Sequence, residues 1–239
     1  MAAGVGVALD LESDPTEGAS VESLSAEHDL WTLTQHWWIK YLTKFKGVPG
    51  QSPTRGHTWS FCFWSVFGTL VSFLMITGME RHMKETYEFS TEKLGFKQTG
   101  AYWPVILINS MAAVAGMLFA APTSPLIQPR MIIGGHLIAT SCAVCVDYIS
   151  NPFRGYGLIP RWVATPLAPA FGILIQLKMG LLHPPACAAA VIFMEGEPEI
   201  KNMDWLYVVC PVLLDSILLV VCAVFINNLS PDRSYPQFW

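Results

Sequence analysis

Leu182-His183-Pro184-Pro185-Ala186-Cys187-Ala188-Ala189-Ala190-Val191-Ile192-Phe193 sets one histidine and two adjacent prolines between two hydrophobic stretches. A residue before proline is pushed out of the helical region, and proline inside a helix lacks an N–H and clashes with the preceding turn, so a helix ends near Leu182. A second starts at once, because proline suits the first helical positions and the alanine-rich run that follows propagates well. The stretch therefore predicts a buried helix N-terminus with unpaired N–H groups around Ala186 to Ala188.

Composition puts this break inside a bilayer. The 239-residue chain is 52% hydrophobic and 13% charged, with a mean hydropathy of +0.41, whereas soluble domains carry roughly a quarter charged residues. An integral membrane protein about one domain long follows. A formal net charge of −4 and the lack of a basic stripe give no reason to expect nucleic acid as a partner. The N-terminus has neither the basic region nor the long apolar region of a secretory signal, and it is too acidic for an organelle transit peptide. Cys62, Cys142, Cys145, Cys187, Cys210 and Cys222 all lie in apolar segments, which predicts reduced, packed thiols rather than a disulfide framework. Cys142-Ala143-Val144-Cys145 has the spacing of half a zinc or redox site, but no second pair or histidine accompanies it, and it reads as small helix-packing residues.

Residues 1–30 carry seven acids and no Lys or Arg, the composition of a disordered acidic tail. Residues 31–56 read as an interfacial amphipathic helix followed by a linker: Trp31, Trp37, Trp38, Tyr41 and Phe45 alternate with Lys40, Lys44 and Lys46, and Gly47 to Gly56 is rich in Pro and Gly. A span needs about 20 apolar residues. Such stretches lie at about 59–78, 101–120, 131–149, 162–182 and 205–226. The segment 184–194 is too short to cross upright alone and is either a tilted span or a half-helix buried in protein. The fold class is all-α, a polytopic transmembrane helical bundle of five to six membrane helices over 57–229, with 230–239 as a C-terminal tail.

Ser110-Met111-Ala112-Ala113-Val114-Ala115-Gly116-Met117-Leu118-Phe119 is similar to Pro185 through Phe193 in its small residues ending in apolar-Phe, and each is followed by a proline-containing polar loop and another span. Two halves of three helices each would form a 3+3 inverted repeat, with a substrate site between the two small-residue helices. Chance similarity between alanine-rich helices stands as the alternative.

The polar residues within these segments are the candidates for function. The helix beginning at Pro184, with Ala186 and Cys187 in its first turn, presents a positive dipole end that suits an anion. His183 caps it and either exchanges a proton with that anion or bonds a carbonyl to hold the break. Lys178 attracts the anion or snorkels to an interface. Asn109 and Ser110 occupy the equivalent place in the first half. Asp215 either pairs with Lys178 or Arg130, or takes up a proton, or is a neutral packing residue. Gln128, Arg130 and His136 form a further cluster: Arg130 suits an oxyanion or fixes topology, and His136, beside Gly134-Gly135, reads as an interhelical hydrogen-bonded residue rather than a metal ligand.

Phe119-Ala120-Ala121-Pro122 with Ser124 to Arg130, then Ile133-Gly134-Gly135-His136, then His183-Pro184-Pro185-Ala186, then Asn227-Asn228-Leu229 with Tyr235 to Trp239 resembles the HPP family of integral membrane proteins over about 57–239. Four separated motifs in the family's order carry the resemblance. Its members occur in bacteria, fungi, algae and plants, and plant and cyanobacterial relatives are known as nitrite transporters of chloroplast-type membranes. The chain departs from the family at Ala112-Ala113-Val114-Ala115-Gly116, where relatives often carry a serine, and it is expected to lack the soluble C-terminal region of some bacterial members.

The expectation is a secondary transporter or channel for a small inorganic anion such as nitrite, with the lipid bilayer as partner, no cofactor and no metal. Self-association into a homo-oligomer is compatible with it. The alternative is a noncatalytic membrane subunit or scaffold whose polar motifs serve packing. The chain has no Gly-x-Ser-x-Gly, Walker loop or His-Glu-x-x-His, which argues against an enzyme. Lys40, Lys44, Lys46 and Arg55 favour an N-terminus on the cytosolic or equivalent inner side, although Arg81, Lys84, Lys93 and Lys97 alternate with acids after the first span.

Overall fold

The computed structural model describes residues 35, 38–42, 56–94, 108–152 and 156–239, with backbone alone at 83–94 and 199. The acidic N-terminal segment and most of the interfacial stretch lie outside the described residues; within that stretch Gln35 and residues 38–42 are helical and exposed. The chain divides after Gly56. Over 57–239 all the described regular structure is helical.

Proline and glycine set the element boundaries. Helix α1 is Trp59–Leu94, and α2 is the 11-residue Ser110–Ala120. A 3-10 turn at Pro125–Ile127 leads into α3, Pro129–Ser150, which has proline in its first turn. Helix α4, Arg161–Met179, closes on Gly180 at φ +65°, the left-handed position open to glycine. The Gly180 N–H donates to Leu177 O and Leu181 N–H to Gln176 O, which satisfies the last carbonyls of α4. Helix α5 is the 11-residue Pro185–Glu195, and α6 is Pro198–Asn202. The last span runs from α7, Trp205–Tyr207, through a wide turn at Val208–Leu213 into α8, Leu214–Asn227. That span is not the continuous helix its hydropathy suggests. Cys210, ahead of Pro211, leaves the helical region at φ −137° and ψ 118°, as the residue before a proline tends to do.

Two differences from the span expectations matter. The first membrane stretch runs to His82 rather than 78. Of the 101–120 span, 101–107 lies outside the described residues, and the described part holds the 11-residue helix Ser110–Ala120. Four stretches are long and apolar enough to cross a membrane: Trp59–His82, Pro129–Ser150, Arg161–Met179 and Trp205–Asn227.

The two halves repeat one another. Each consists of a long helix, an 11-residue helix, a short connector that starts at proline, and a second long span. Packing follows the same exchange. Helix α1 meets α2 as α4 meets α5, α1 meets α8 as α4 meets α3, α3 meets α5 as α8 meets α2, and α2 packs on α5 as α3 packs on α8. Burial agrees, since the apolar windows of α1 and α4 are 17% and 22% buried while those of α3 and the last span are 50% and 50% buried. The first helix of each half is thus an outer, lipid-facing element, and the third lies inside. Phe63, Val66 and Leu70 on α1 and Phe171, Leu174 and Leu177 on α4 are the exposed apolar side chains that meet the bilayer.

Polar contacts at the helix ends show that the halves run in opposite senses. At one level Asn227, ending α8, donates to Leu118 O near the end of α2, and Arg233 joins Phe61 O at the start of α1 to Phe119 O. At the other level Glu195, ending α5, bonds Thr165 and faces Arg161 at the start of α4, and Lys201 pairs with Asp147 near the end of α3. So α2 returns to the level where α1 begins, and α5 to the opposite level, where α4 begins. This is the antisymmetry of an inverted repeat.

The short helix does not span alone. Eleven helical residues rise about 16 Å, against a hydrocarbon core of about 30 Å. Leu181 to Pro184 is a non-helical leg that turns back beside the end of α4, and leg plus α5 completes one discontinuous crossing.

The leg fits only because α3 is bare where it passes. A Cβ on Gly135 would lie 2.5 Å from His183 Cβ, and one on Gly172 would lie 3.1 Å from Ala139 Cα, whereas one on Gly116 meets nothing within 4 Å. Gly135→Ala is expected to destabilise the bundle by about 1–3 kcal/mol, the usual cost of overpacking, and Gly116→Ala is expected to leave it unchanged. Thermal unfolding in detergent reads both, and equal midpoints for the two variants would contradict this packing.

Candidate functional site

The break at Gly180 to Pro185 removes backbone groups from helical bonding at a depth where each unmet group costs several kcal/mol. Gln176, buried on α4, meets that cost from two oxygens and is itself anchored to α3. Its backbone oxygen accepts from Leu181, its side-chain Oε1 accepts from the His183 N–H at 2.9 Å, and its Nε2 donates to Gly135 O at 3.0 Å. One amide therefore ties α4 to α3 and to the leg.

The helix N-terminus behind the break differs from the expectation. Ala186 N–H donates to His183 O at 3.1 Å and Cys187 N–H to Pro184 O at 3.0 Å, while Pro184 and Pro185 have no N–H to offer. The donors predicted to be free at Ala186 and Cys187 are already engaged in a tight first turn. Helix α2 starts the same way, with Met111 N–H on Ile108 O and Ala112 N–H on Asn109 O. The dipoles of the two short helices remain, but these amides are not open donors for an anion.

What the fold does bring together is a histidine pair. His136 on α3 and His183 on the leg, both fully buried, stand with ring centroids 5.0 Å apart and planes inclined by 51°. His136 Nδ1 bonds Ile132 O at 2.9 Å and His183 Nδ1 bonds Leu126 O at 2.8 Å. A carbonyl oxygen only accepts, so each Nδ1 carries the proton and each Nε2 presents a lone pair. Both Nε2 atoms are buried with no hydrogen-bond partner among the described residues. Two positive charges on rings 5.0 Å apart would repel by about 3 kcal/mol at an effective dielectric constant near 20.

A second cluster lies at the equivalent crossing of the other half. Asp215, buried on α8, lies beside the backbone of Ile108, just ahead of α2. Neither Asp215 oxygen, nor Ser110 Oγ, has a hydrogen-bond partner among the described residues. In both halves the unmet polar atoms gather where the third span of one half meets the short helix of the other.

Several candidates fall elsewhere. Lys178 and Arg130 are exposed, at the last turn of α4 and the first of α3, and are not brought to either cluster. Asn109 is exposed and makes no side-chain cap on α2. Pro184 is exposed, Ala186 is fully buried and Cys187 is half-buried. Gln128 is buried and engaged, with Nε2 donating to Pro122 O and Ser124 O and Oε1 accepting from the Gln237 N–H. The three members of the Gln128, Arg130 and His136 cluster thus separate. The six cysteines are all unpaired, and no group of three or more metal-binding side chains gathers among the described residues.

Sequence reasoning missed the C-terminal residues. Arg233 lies in what reads as a tail, yet its guanidinium donates to Phe119 O, Asn227 Oδ1, Phe61 O and Ser65 Oγ and stacks 4.2 Å over the Phe61 ring. Tyr235 is buried and donates to Ile127 O at 2.8 Å, next to the carbonyl that holds His183. Burial lowers the pKa of Arg233 and raises that of Tyr235.

An all-helical bundle of two opposed halves, each with a short broken helix reaching the interior, defines an integral membrane protein of the inverted-repeat class. The chain belongs to the HPP family, whose model, described as "HPP, transmembrane region", matches residues 54–236. Two relatives from Dictyostelium discoideum, each named only as a transmembrane protein, are 29% identical over 85% of this chain and 32% identical over 56% of it. The chain spans 58% and 45% of the lengths of these relatives. No solved structure matches it.

Replacing Gln176 by Leu leaves the His183 N–H unpaired in an apolar surrounding, while the Gly135 carbonyl keeps its place within helix α3. A loss of about 1–3 kcal/mol is expected, read as a lower unfolding midpoint in detergent. A midpoint equal to wild type would mean the break is held by something else.

Proposed function

We propose that the protein is a secondary transporter of a small inorganic anion, with nitrite the first candidate, and neither an enzyme nor a passive scaffold. The observation that carries this reading is the pairing of an inverted repeat with unmet buried polar atoms at equivalent crossings, His136 and His183 in one and Ser110 and Asp215 in the other. A packing scaffold has no use for buried polar atoms without partners, since apolar groups of the same shape would hold the bundle better. A transporter does, because those atoms are met in turn by what passes. Rocking of one half against the other about the crossed short helices would expose them alternately to the two sides. The choice of an anion rests on the positive ends of α2 and α5, both directed inward, and on the nitrite transport known for plant and cyanobacterial members of the family. Lys178 and Arg130, exposed at neighbouring helix ends, serve as an attracting rim rather than as part of the site. On the charge of the segment before α1, the face where α1 begins is the cytosolic or equivalent inner one.

The test is entry of nitrite, and of nitrate in parallel, into vesicles that contain the purified protein, measured against protein-free vesicles. Saturable entry is expected, with at least a tenfold loss in Asp215→Asn at an unchanged unfolding midpoint. Entry no faster than in protein-free vesicles, for every anion tried, would leave the scaffold reading standing instead.

A further inference from the structure

We propose that His136 and His183 are the site at which a proton joins the transported anion, so that the anion moves by electroneutral proton symport. The inference rests on the transport reading above and names its coupling ion. It begins from the two carbonyls. Leu126 O and Ile132 O each hold an Nδ1–H, which leaves both Nε2 lone pairs buried with no donor among the described residues. Two lone pairs repel a bare anion. A proton on either Nε2 reverses this, because it turns an acceptor into an N–H donor and places a positive charge where the anion must pass.

The other ionisable groups on the surrounding elements do not supply that charge. On α3 Arg130 is exposed, and on α4 Lys178 is exposed. At the far ends of α4 and α5 Arg161 and Glu195 face each other, and Lys201 on α6 pairs with Asp147 near the end of α3. Cys142 on α3, Cys187 on α5 and Cys210 in the wide turn are thiols, Tyr207 donates to Ala189 O, and Tyr235 donates to Ile127 O. Asp215 belongs to the other crossing, beside Ile108. The ionisable group beside His136 is His183 itself, with ring centroids 5.0 Å apart.

In the cycle one proton from the entry side binds one Nε2, one monovalent anion follows it, and both leave on the other side, so no net charge crosses. Repulsion between rings this close limits the pair to a single proton, which sets a ratio of one proton to one anion.

The experiment uses vesicles loaded with a pH-sensitive dye, with the membrane potential clamped and sodium nitrate as the probe, because nitrate, unlike nitrite, does not leak through lipid as its acid. Wild type is expected to acidify the vesicle interior as nitrate enters, one proton per anion, at a rate unaffected by the clamped potential. His136→Asn and His183→Asn each keep a side-chain N–H for the carbonyl and remove Nε2, and each is expected to lower nitrate-driven proton entry at least tenfold. Wild-type proton entry in both variants would overturn the proposal. So would net entry of labelled nitrate into wild-type vesicles without proton movement, which leaves the transport reading intact; absence of labelled entry of nitrate and of nitrite would remove that reading as well. A measurement on the unaltered protein guards against misfolded variants. Nitrogen-15 resonances of labelled histidine are expected to show both rings with the proton on Nδ1, and a proton on Nε2 in the neutral state of either ring would contradict the site.

Discussion

Everything near the centre of this protein depends on one side-chain amide. A chain that leaves the helical path inside a bilayer strands its N–H and C=O groups, and lipid offers them nothing. Gln176 accepts from the leg at His183 and donates to α3 at Gly135. The leg can lie close enough for this because Gly135 has no side chain to meet His183. With the leg fixed, His183 reaches Leu126 O in the connector before α3 and lies beside His136. The position of the histidine pair is thus a consequence of how the break is satisfied.

The same solution recurs with different chemistry in the other half. Helix α2 starts, like α5, with its first amides turned back on the preceding carbonyls, and a buried polar group on the crossing span stands beside it. One crossing carries two basic rings and the other a carboxyl and a hydroxyl. A shared architecture with unlike polar groups is what duplication followed by specialisation of each half would leave. The outer helices α1 and α4 carry the lipid-facing surface, which frees α3 and the last span to hold the polar groups inside.

Much of this was legible in the sequence. Hydropathy located four of the five expected spans, the paired prolines marked the start of α5, and the likeness of 110–119 to 185–193 pointed to two halves that the packing also relates. The pairing of His136 with His183 was not legible, since 46 intervening positions carry no signal of proximity and each residue alone reads as an isolated polar group in an apolar run. The engaged amides at Ala186 and Cys187 were missed for a different reason: proline placement predicts where a helix begins but not whether its first turn tightens onto the preceding carbonyls. Arg233 was overlooked because a charged residue after a last span usually faces water, whereas here it closes the ends of α1, α2 and α8. Lys178 and Arg130 drew attention by charge alone, and long side chains at helix ends reach outward.

The central claim is that the leg and α5 together make one crossing, so that the two halves run in opposite senses. Single cysteines at Leu158, Gly180, Glu197 and Leu229 in a cysteine-free protein, reconstituted in sealed vesicles and labelled with a membrane-impermeant maleimide, test it most directly. The account predicts that Leu158 and Glu197 label from one side and Gly180 and Leu229 from the other. Labelling of Gly180 and Glu197 from the same side would mean that α5 dips in and returns, and would contradict the inverted repeat.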